Sequence, residues 1–206
     1  MRAPSLNFLK KLLSTPSPSG QEEKIQEVCK AYAKPFVDNI YKDVHGNQYH
    51  VVNPKGKLRV MLAGHVDEIA LMIHHMDDKG FLQFQAIGGV DASVLDGQRV
   101  NVHTDKGGIS GVIGRRAIHL TDNEDRGKPM KMHDLWIDIG AKDKKEAQKH
   151  VSIGDTATID AGFLELLNGR IVARALDDRI GAFICLEAVR LLHGRKFDCA
   201  VYCVTT

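Results

Sequence analysis

The pattern of hydrophobic and polar positions along the first third of the chain predicts two helices followed by strands. Apolar residues recur at helical spacing between residues 5 and 14, after which the segment TPSPSG breaks the pattern. A second helix is expected to begin at Ser19, which forms a capping box with Glu22, and to continue to about Lys34. The alternating stretch DNIYKDVHGNQYHVV then predicts a hairpin, and RVMLA predicts a further strand.

The middle of the chain has a different pattern, in which short strands alternate with glycine-rich turns. Strand pairs are expected around the turns at residues 77–80 and 105–108, and one helix is expected in AKDKKEAQKH. His74 and His75 are adjacent in one predicted strand and are expected to face opposite ways, while Trp136 is expected in the core. This pattern predicts a small β barrel or sandwich.

Strand and helix patterns return in the last quarter of the chain. GRIVARAL predicts a strand, a turn begins at Asp177, and helically spaced apolar positions follow. The final segment, FDCAVYCVTT, predicts another strand. The sequence therefore predicts a discontinuous α/β domain, residues 1–69 and 163–206, with a β-rich domain inserted at residues 70–162.

Composition and charge narrow the possible function classes. The 206 residues carry a formal net charge of +2, with 43% hydrophobic and 26% charged residues, which is ordinary for a soluble globular protein. Basic residues form no stripe interleaved with aromatics, so nucleic acid is not an expected partner, and the apolar runs are too short to span a membrane. The N-terminus lacks a signal-peptide pattern, and the four cysteines, which form no C-x-x-C pair, are expected to be buried. We therefore expect a cytoplasmic protein.

The segment GHVDE, directly after the RVMLA strand, is the first candidate for chemistry. His65 and Asp67 are two positions apart, and side chains at i and i+2 of a strand point to the same side. A metal-binding histidine commonly donates its second ring N–H to a carboxylate, and ligands often bind at the carboxyl ends of strands in open α/β sheets. A solvated surface turn is the alternative interpretation of the same residues.

The segment ALDDR supplies the second candidate. Asp177 and Asp178 are adjacent between a predicted strand and a predicted helix. Asp178 could simply cap the helix, because a carboxylate there meets free N–H groups at the positive end of the helix dipole. A carboxylate at such an edge could also bridge two metal ions, since each of its oxygens can bind one.

Together these segments resemble a known family. AGHVDEIALMI, GFLQFQAIGGVD, GVIGR, WIDIGAKDKKEA, SIGD and GRIVARALDDRIGAF are similar, in order and spacing, to the dinuclear metallo-aminopeptidases of the glutamyl-aminopeptidase and deblocking-aminopeptidase type. The similarity covers nearly the whole chain. It implies that the inserted β-rich domain is a dimerisation domain and that the protein forms homo-oligomers, from dimers up to tetrahedral dodecamers.

The resemblance also implies two divalent metal ions and roles for three residues. His65 would ligate one metal, Asp177 would bridge both, and Asp67 would orient His65 and tune its basicity. The metals would be zinc or cobalt, with manganese as a third candidate. The implied reaction is hydrolysis of N-terminal residues from peptide substrates, in which the metals clamp the substrate and activate a bridging water, and a glutamate transfers its proton.

The end of the sequence departs from the family pattern. The family continues past the last strand with two adjacent glutamates, an aspartate and a histidine, whereas this sequence ends at Thr206. We therefore expect a truncated chain that is inactive alone, since two protein ligands fall short of the three in stable catalytic zinc sites. We also expect the final strand to have an unpaired edge.

Two other functions compete with the aminopeptidase hypothesis. A non-catalytic oligomerising or binding module, derived from such a peptidase, would explain why the β-rich insert is complete while the ligand set is not. A glycoside hydrolase ranks last, because no pair of acids lies in a sugar-site context and the aromatic content is 6%.

Overall fold

The computed structural model describes residues 1–120 and 129–206, with residue 118 described by its backbone alone. The helices are α1 (Ala3–Ser14), α2 (Glu23–Ala33), α3 (Lys144–His150) and α4 (Leu176–Leu192). The strands are β1 (Asn39–Lys42), β2 (Gln48–Val52), β3 (Leu58–Gly64), β4 (Ala70–Met76), β5 (Leu82–Ile87), β6 (Arg99–Thr104), β7 (Gly107–Arg115), β8 (Leu135–Asp138), β9 (Thr156–Ile159), β10 (Leu164–Glu165), β11 (Ile171–Val172) and β12 (Cys199–Thr205). Within the described ranges, the helices are too short or too polar to cross a membrane.

The described chain divides into two units. The sheet unit comprises Met1–Glu68 and Gly162–Thr206, and the barrel unit comprises Ile69–Ala161. The sheet unit contains a four-stranded sheet with three helices, whereas the barrel unit contains six strands that close on themselves. The predicted fold class, an α/β domain with an inserted small β barrel, is confirmed.

The sheet of the sheet unit has the strand order β1-β2-β12-β3, with β12 antiparallel to β2 and parallel to β3. Alternate residues of the central strands, such as Val52, Val201 and Cys203, face one side and join a core with α1, α2 and α4. The expected unpaired edge on the final strand is wrong, because β12 lies between two strands and is hydrogen-bonded on both sides.

The barrel unit closes in the strand order β4-β5-β8-β7-β6-β9 around an apolar core. On β8, Leu135 and Ile137 are buried, so the intervening Trp136 faces the other way and is partly exposed. Its ring instead lies beside Phe81, with the ring centroids 5.4 Å apart. The expectation that Trp136 is a core residue is therefore wrong, because strand alternation gives the core positions to its neighbours.

Strand β4 contains a β-bulge that changes the direction of two histidines. The register with β5 shifts between Ile73 and His75, so His74 is an extra residue on this strand. Ile73 and Met76 remain buried, while His74 and His75 are both exposed. The expectation that these two histidines face opposite ways is therefore wrong.

Two element boundaries also differ from the sequence-based expectation. Helix α2 begins at Glu23, without a side-chain cap, and the hydroxyl of Ser19 donates a hydrogen bond to Asp67 instead. The strand predicted in GRIVARAL is reduced to β11, which pairs only with β10, because the chain turns and Ala175 adopts a left-handed conformation with φ of 57°. Both differences arise where the chain approaches the candidate site.

Candidate metal centre

Gly64, the last residue of β3, lets the end of the strand lie directly against the first regular turn of α4. A Cβ atom at Gly64 would lie 2.4 Å from the backbone nitrogen of Ala182 and 2.8 Å from the carbonyl carbon of Gly181. Any side chain at this position would push strand and helix apart. Glycine thus allows His65, the next residue, to approach Asp177 at the beginning of α4.

The three predicted site residues lie together around the imidazole of His65. Its Nε2 atom is 3.4 Å from Oδ1 of Asp177, and its Nδ1 atom is 2.9 Å from Oδ1 of Asp67. The approach of Nδ1 to Asp67 has the distance of an ion pair but not the direction of a hydrogen bond. The side chain of Asp177 is 98% exposed, whereas that of Asp67 is 29% exposed. The imidazole therefore lies between one exposed and one partly buried carboxylate.

Asp67 is held from its other side by the segment before α2. The hydroxyl of Ser19 donates to Oδ2 of Asp67, while Oδ1 faces the imidazole of His65. A carboxylate that is fixed in this way can restrict the orientation of the ring next to it. This contact was not predicted, because Ser19 and Glu22 match a capping box in the sequence.

The two adjacent acids at the start of α4 have different surroundings. Asp178 accepts a hydrogen bond from the backbone N–H of Gly181 at 3.1 Å, as a helix-capping carboxylate does. A Cβ atom at Gly181 would lie 2.4 Å from both carboxylate oxygens of Asp178, so glycine leaves room for this cap. Asp177, joined to Asp178 by a cis peptide bond, directs its carboxylate to His65 and to solvent.

Beneath these residues lies a buried ionic cluster, here called the support network, formed by Ser17, Glu68, Arg174 and Arg179. The side chain of Arg179 has no exposed surface, and its Nη2 atom donates to Oε1 of Glu68 at 3.0 Å and to the hydroxyl of Ser17 at 2.7 Å. Nε of Arg174 donates to the other oxygen of Glu68 at 2.7 Å. One buried carboxylate is thus paired with two guanidinium groups.

Arg179 also binds the backbone of two further segments. Its Nε atom donates to the carbonyl of Val66 at 3.0 Å, and its Nη1 atom donates to the carbonyls of Leu12 at 3.0 Å and Leu13 at 3.3 Å. Burial lowers the pKa of Arg179 and the charge of Glu68 opposes this shift, so the guanidinium stays charged. Because Val66 lies between His65 and Asp67, this side chain ties both motifs and the end of α1 together.

Sequence reasoning did not identify the support network. Glu68 and Arg179 are each adjacent to a predicted site residue or acid pair, and this proximity was the available signal. Nothing in the local pattern distinguishes a buried charge from a solvated one, because burial depends on α1 and on the TPSPSG segment, which are distant in sequence.

His65 and Asp177 are donors of the types that the metals implied by the resemblance prefer. An imidazole nitrogen and a carboxylate oxygen 3.4 Å apart are suitable ligands for zinc, cobalt or manganese. Across residues 1–120 and 129–206, however, no three histidine, cysteine, aspartate or glutamate side chains are grouped closely enough to hold a metal ion. The described residues therefore offer two suitable donors, one fewer than a catalytic zinc normally takes from protein.

Known proteins share both the sequence and the fold. The sequence profile of the M42 glutamyl aminopeptidase family matches residues 46–206. The lysyl aminopeptidase of Pyrococcus furiosus is 32% identical over 195 residues, which cover 93% of this chain and 56% of that protein. The structure of a TET aminopeptidase from Thaumarchaeota archaeon SCGC AB-539-E09 is 34% identical with a TM-score of 0.95, covering 98% of this chain and 58% of that one.

One further relative of known structure forms large assemblies. The TET1 peptidase of Pyrococcus horikoshii, which can assemble into a tetrahedron or a large octahedral shell, is 36% identical with a TM-score of 0.88, covering 98% of this chain and 60% of that one. This chain spans a little over half the length of the curated relatives that it matches. The match over residues 46–206 includes both the GHVDE and the ALDDR segments, and the chain belongs to the M42 glutamyl aminopeptidase family.

Proposed function

We propose that this chain carries one part of the active site of a metal-dependent aminopeptidase, which removes N-terminal residues from peptides. The observation that carries the proposal is the 3.4 Å approach of His65 Nε2 to Asp177 Oδ1, with Asp67 on the opposite side of the imidazole. Membership of the M42 family and the similarity to a lysyl aminopeptidase support the reaction class.

Each of the three side chains has a distinct role in this proposal. The charge of Asp67, 2.9 Å from Nδ1 of His65, favours the tautomer with its proton on that nitrogen, so that the lone pair of Nε2 is available as a metal ligand. Asp177 is exposed enough for both of its oxygens to bind metal, which suits a bridging ligand. Two divalent ions, zinc or cobalt with manganese as a third candidate, would supply an activated water and polarise the scissile carbonyl when bound.

The ligand count sets the limit of what the chain can do by itself. His65 and Asp177 are two donors, whereas catalytic zinc sites normally use three from protein together with a water. We therefore propose that the remaining ligands and the general base lie outside the described residues, and that the 206 residues alone are inactive.

Metal binding and peptidase activity test the two halves of this proposal separately. Protein of verified intact mass is titrated with cobalt or zinc by calorimetry, and is assayed against glutamyl- and leucyl-anilides with metal or chelator. We expect weak metal binding that falls at least about tenfold in His65→Ala and Asp177→Asn, and no anilide release. His133→Ala, which removes an exposed histidine of the barrel unit, is the matched control.

The outcomes discriminate between the parts of the proposal. Unchanged metal affinity in His65→Ala would remove the metal role of this residue. Chelator-sensitive anilide release by the 206 residues would uphold the peptidase and contradict the proposal that the chain is inactive alone.

A non-catalytic oligomerising module is the second candidate, favoured by the contrast between a closed barrel and a site with two donors. In either case we propose homo-oligomers formed through the barrel unit, a proposal supported by the assemblies of the Pyrococcus horikoshii relative. Sedimentation of the chain with and without chelator tests this candidate. Oligomers that persist without any measurable metal binding would favour the module over the enzyme.

The cysteines of the chain bear on the cellular compartment of the protein. The four cysteines are free thiols, and three of them are buried, which supports a reducing cytoplasmic location.

A glycoside hydrolase is not supported, because Asp67 and Asp177 contact the two nitrogens of one imidazole rather than facing each other across an open cleft.

A further inference from the structure

A cleft of about 410 Å³ lies in the barrel unit, between the second half of β4 and the segment that runs from α3 to Ile153. Two of its lining residues, Met76 and Val151, are buried. Apart from Ile153, the remaining lining residues are polar: His74, His75, Lys144, Gln148 and Ser152. None of these residues belongs to the candidate metal centre, which lies in the sheet unit.

The bulge in β4 is the reason that both histidines line this cleft. Strand β4 pairs with β9 only at Leu71 and Met72, and Ile73 then exchanges backbone hydrogen bonds with Gly154 and Asp155. Beyond Ile73 the pairing with β9 has ended, and the extra residue at the bulge turns the next two side chains to the same face. Bulges of this kind commonly redirect side chains at functional sites.

The lining carries three basic groups and no carboxylate. Acidic side chains occur in the turns next to the cleft and in the first turn of α3, but each of the following accepts a backbone N–H of its own turn: Asp77, Asp143, Glu146 and Asp155. Asp78, in the turn between β4 and β5, is exposed and does not line the cleft. Lys144, His74 and His75 are therefore not neutralised by an acid within the lining.

We propose that this cleft binds a small oxyanion, either a carboxylate or a phosphate. An ammonium group and imidazole N–H groups donate charge-assisted hydrogen bonds to such oxygens, and the amide of Gln148 and the hydroxyl of Ser152 can add further donors. A divalent cation is disfavoured because Lys144 adds a positive charge and because the described residues offer no third ligand beside the two histidines. This inference is independent of the proposed aminopeptidase function.

Nuclear magnetic resonance of the histidine side chains in the whole chain tests the proposal. Inorganic phosphate and acetate are titrated in separate experiments at constant ionic strength, maintained with sodium chloride. We expect saturable shifts of the His74 and His75 imidazole signals in at least one titration, and the titration that responds identifies the source of the oxyanion. In Lys144→Met, the affinity is expected to fall about tenfold, as for loss of one charge-assisted hydrogen bond.

A second lysine of α3 provides the matched control variant. Lys149→Met removes an ammonium group from the same helix that does not line the cleft, and its affinity is expected to match that of the unmodified chain. Double replacement of His74 and His75 by Gln is a second variant, followed by the backbone amide signals of Gln148 and Ser152, and it should abolish saturable binding even if Lys144→Met folds poorly. Three outcomes would each overturn the proposal. The first is a shift that rises linearly and is equally large at exposed His45, and the second is an equal loss of anion affinity in both lysine variants. The third is saturable binding of zinc but of neither anion.

Discussion

In each of the two motifs, an acid near the solvent stands beside a residue that is buried in the support network. Asp67 is followed by Glu68, whose side chain is 3% exposed, and Asp177 is followed two positions later by Arg179, which has no exposed side-chain surface. The outer residues, Asp67 and Asp177, face the imidazole of His65. The inner residues, Glu68 and Arg179, pair with each other at 3.0 Å.

This difference separates the residues that stabilise the site from the residues that can bind a ligand. Exposed ion pairs contribute about 0–1 kcal/mol to stability, whereas removal of one partner from a buried pair costs about 3–5 kcal/mol. The inner residues should therefore determine whether the segment around Val66 and the start of α4 stay together. The outer residues should determine what that arrangement can bind.

The largest expected effect is on stability and comes from Arg179→Met. This change leaves Glu68 with one cationic partner and removes the donors from the carbonyls of Leu12, Leu13 and Val66. We expect the free energy of unfolding to fall by about 3–5 kcal/mol, measured by urea denaturation.

Arg174→Met is the matched control for this prediction. It removes the other guanidinium, which is 15% exposed, but leaves Glu68 paired with Arg179. We expect a smaller loss of about 1.5–3 kcal/mol, as for loss of one hydrogen bond to a charged group. Equal losses in the two variants would contradict the central position assigned to Arg179.

His50 sharpens the comparison because it is buried without the partners that Arg179 has. No hydrogen-bond partner for either ring nitrogen is found among the described residues, and burial lowers the pKa of His50 from 6.5 to about 4. Below pH 6.5 the unfolded chain binds a proton here while the folded chain does not, so stability falls as the pH drops towards 4. The expected contribution to this loss is about 3 kcal/mol.

The pH dependence of two variants tests this prediction. In His50→Leu, the free energy of unfolding should decrease less between pH 6.5 and pH 4 than it does in the unmodified chain. His45→Leu replaces an exposed histidine in the nearby hairpin and should keep the original slope. An unchanged slope in His50→Leu would show that other groups cause the acid sensitivity.

Most of the fold could be predicted because it follows from local patterns. Apolar periodicity located α1 and α4, and turn residues located the hairpins of both units. The position of β12 between β2 and β3 could not be predicted, because strand pairing joins segments that are distant in sequence. The bulge at His74 was missed for a similar reason, since it is defined by the register with β5.

The candidate site was predictable only in its outer part. The spacing of His65 and Asp67 indicated a shared site, and the structure places Asp177 beside them. Ser19 and Arg179 were not predicted, because their contacts cross 48 and 111 positions of sequence and depend on how α1 packs. Sequence patterns thus indicated the chemistry more readily than the residues that support it.

A smaller effect is expected for Asp178→Ala, which removes the cap of α4. The backbone N–H of Gly181 loses its acceptor, and loss of a helix cap costs about 1 kcal/mol in the free energy of unfolding. Thermal and urea denaturation measure this loss. A value near zero would mean that solvent replaces the cap without cost.

The smallest effect on stability is expected for Asp177→Asn, one position earlier. Its side chain is 98% exposed and its one described contact is the 3.4 Å approach to His65, so the free energy of unfolding should change by no more than about 0.5 kcal/mol. The same variant should lose most of the cobalt or zinc affinity, because an amide oxygen is a poorer ligand than a carboxylate. Asp178→Ala should show the reverse, with lower stability and retained metal affinity. If Asp177→Asn destabilised the chain as much as Asp178→Ala and left metal binding unchanged, the two adjacent acids would share one structural role, and the metal-binding role assigned to Asp177 would be wrong.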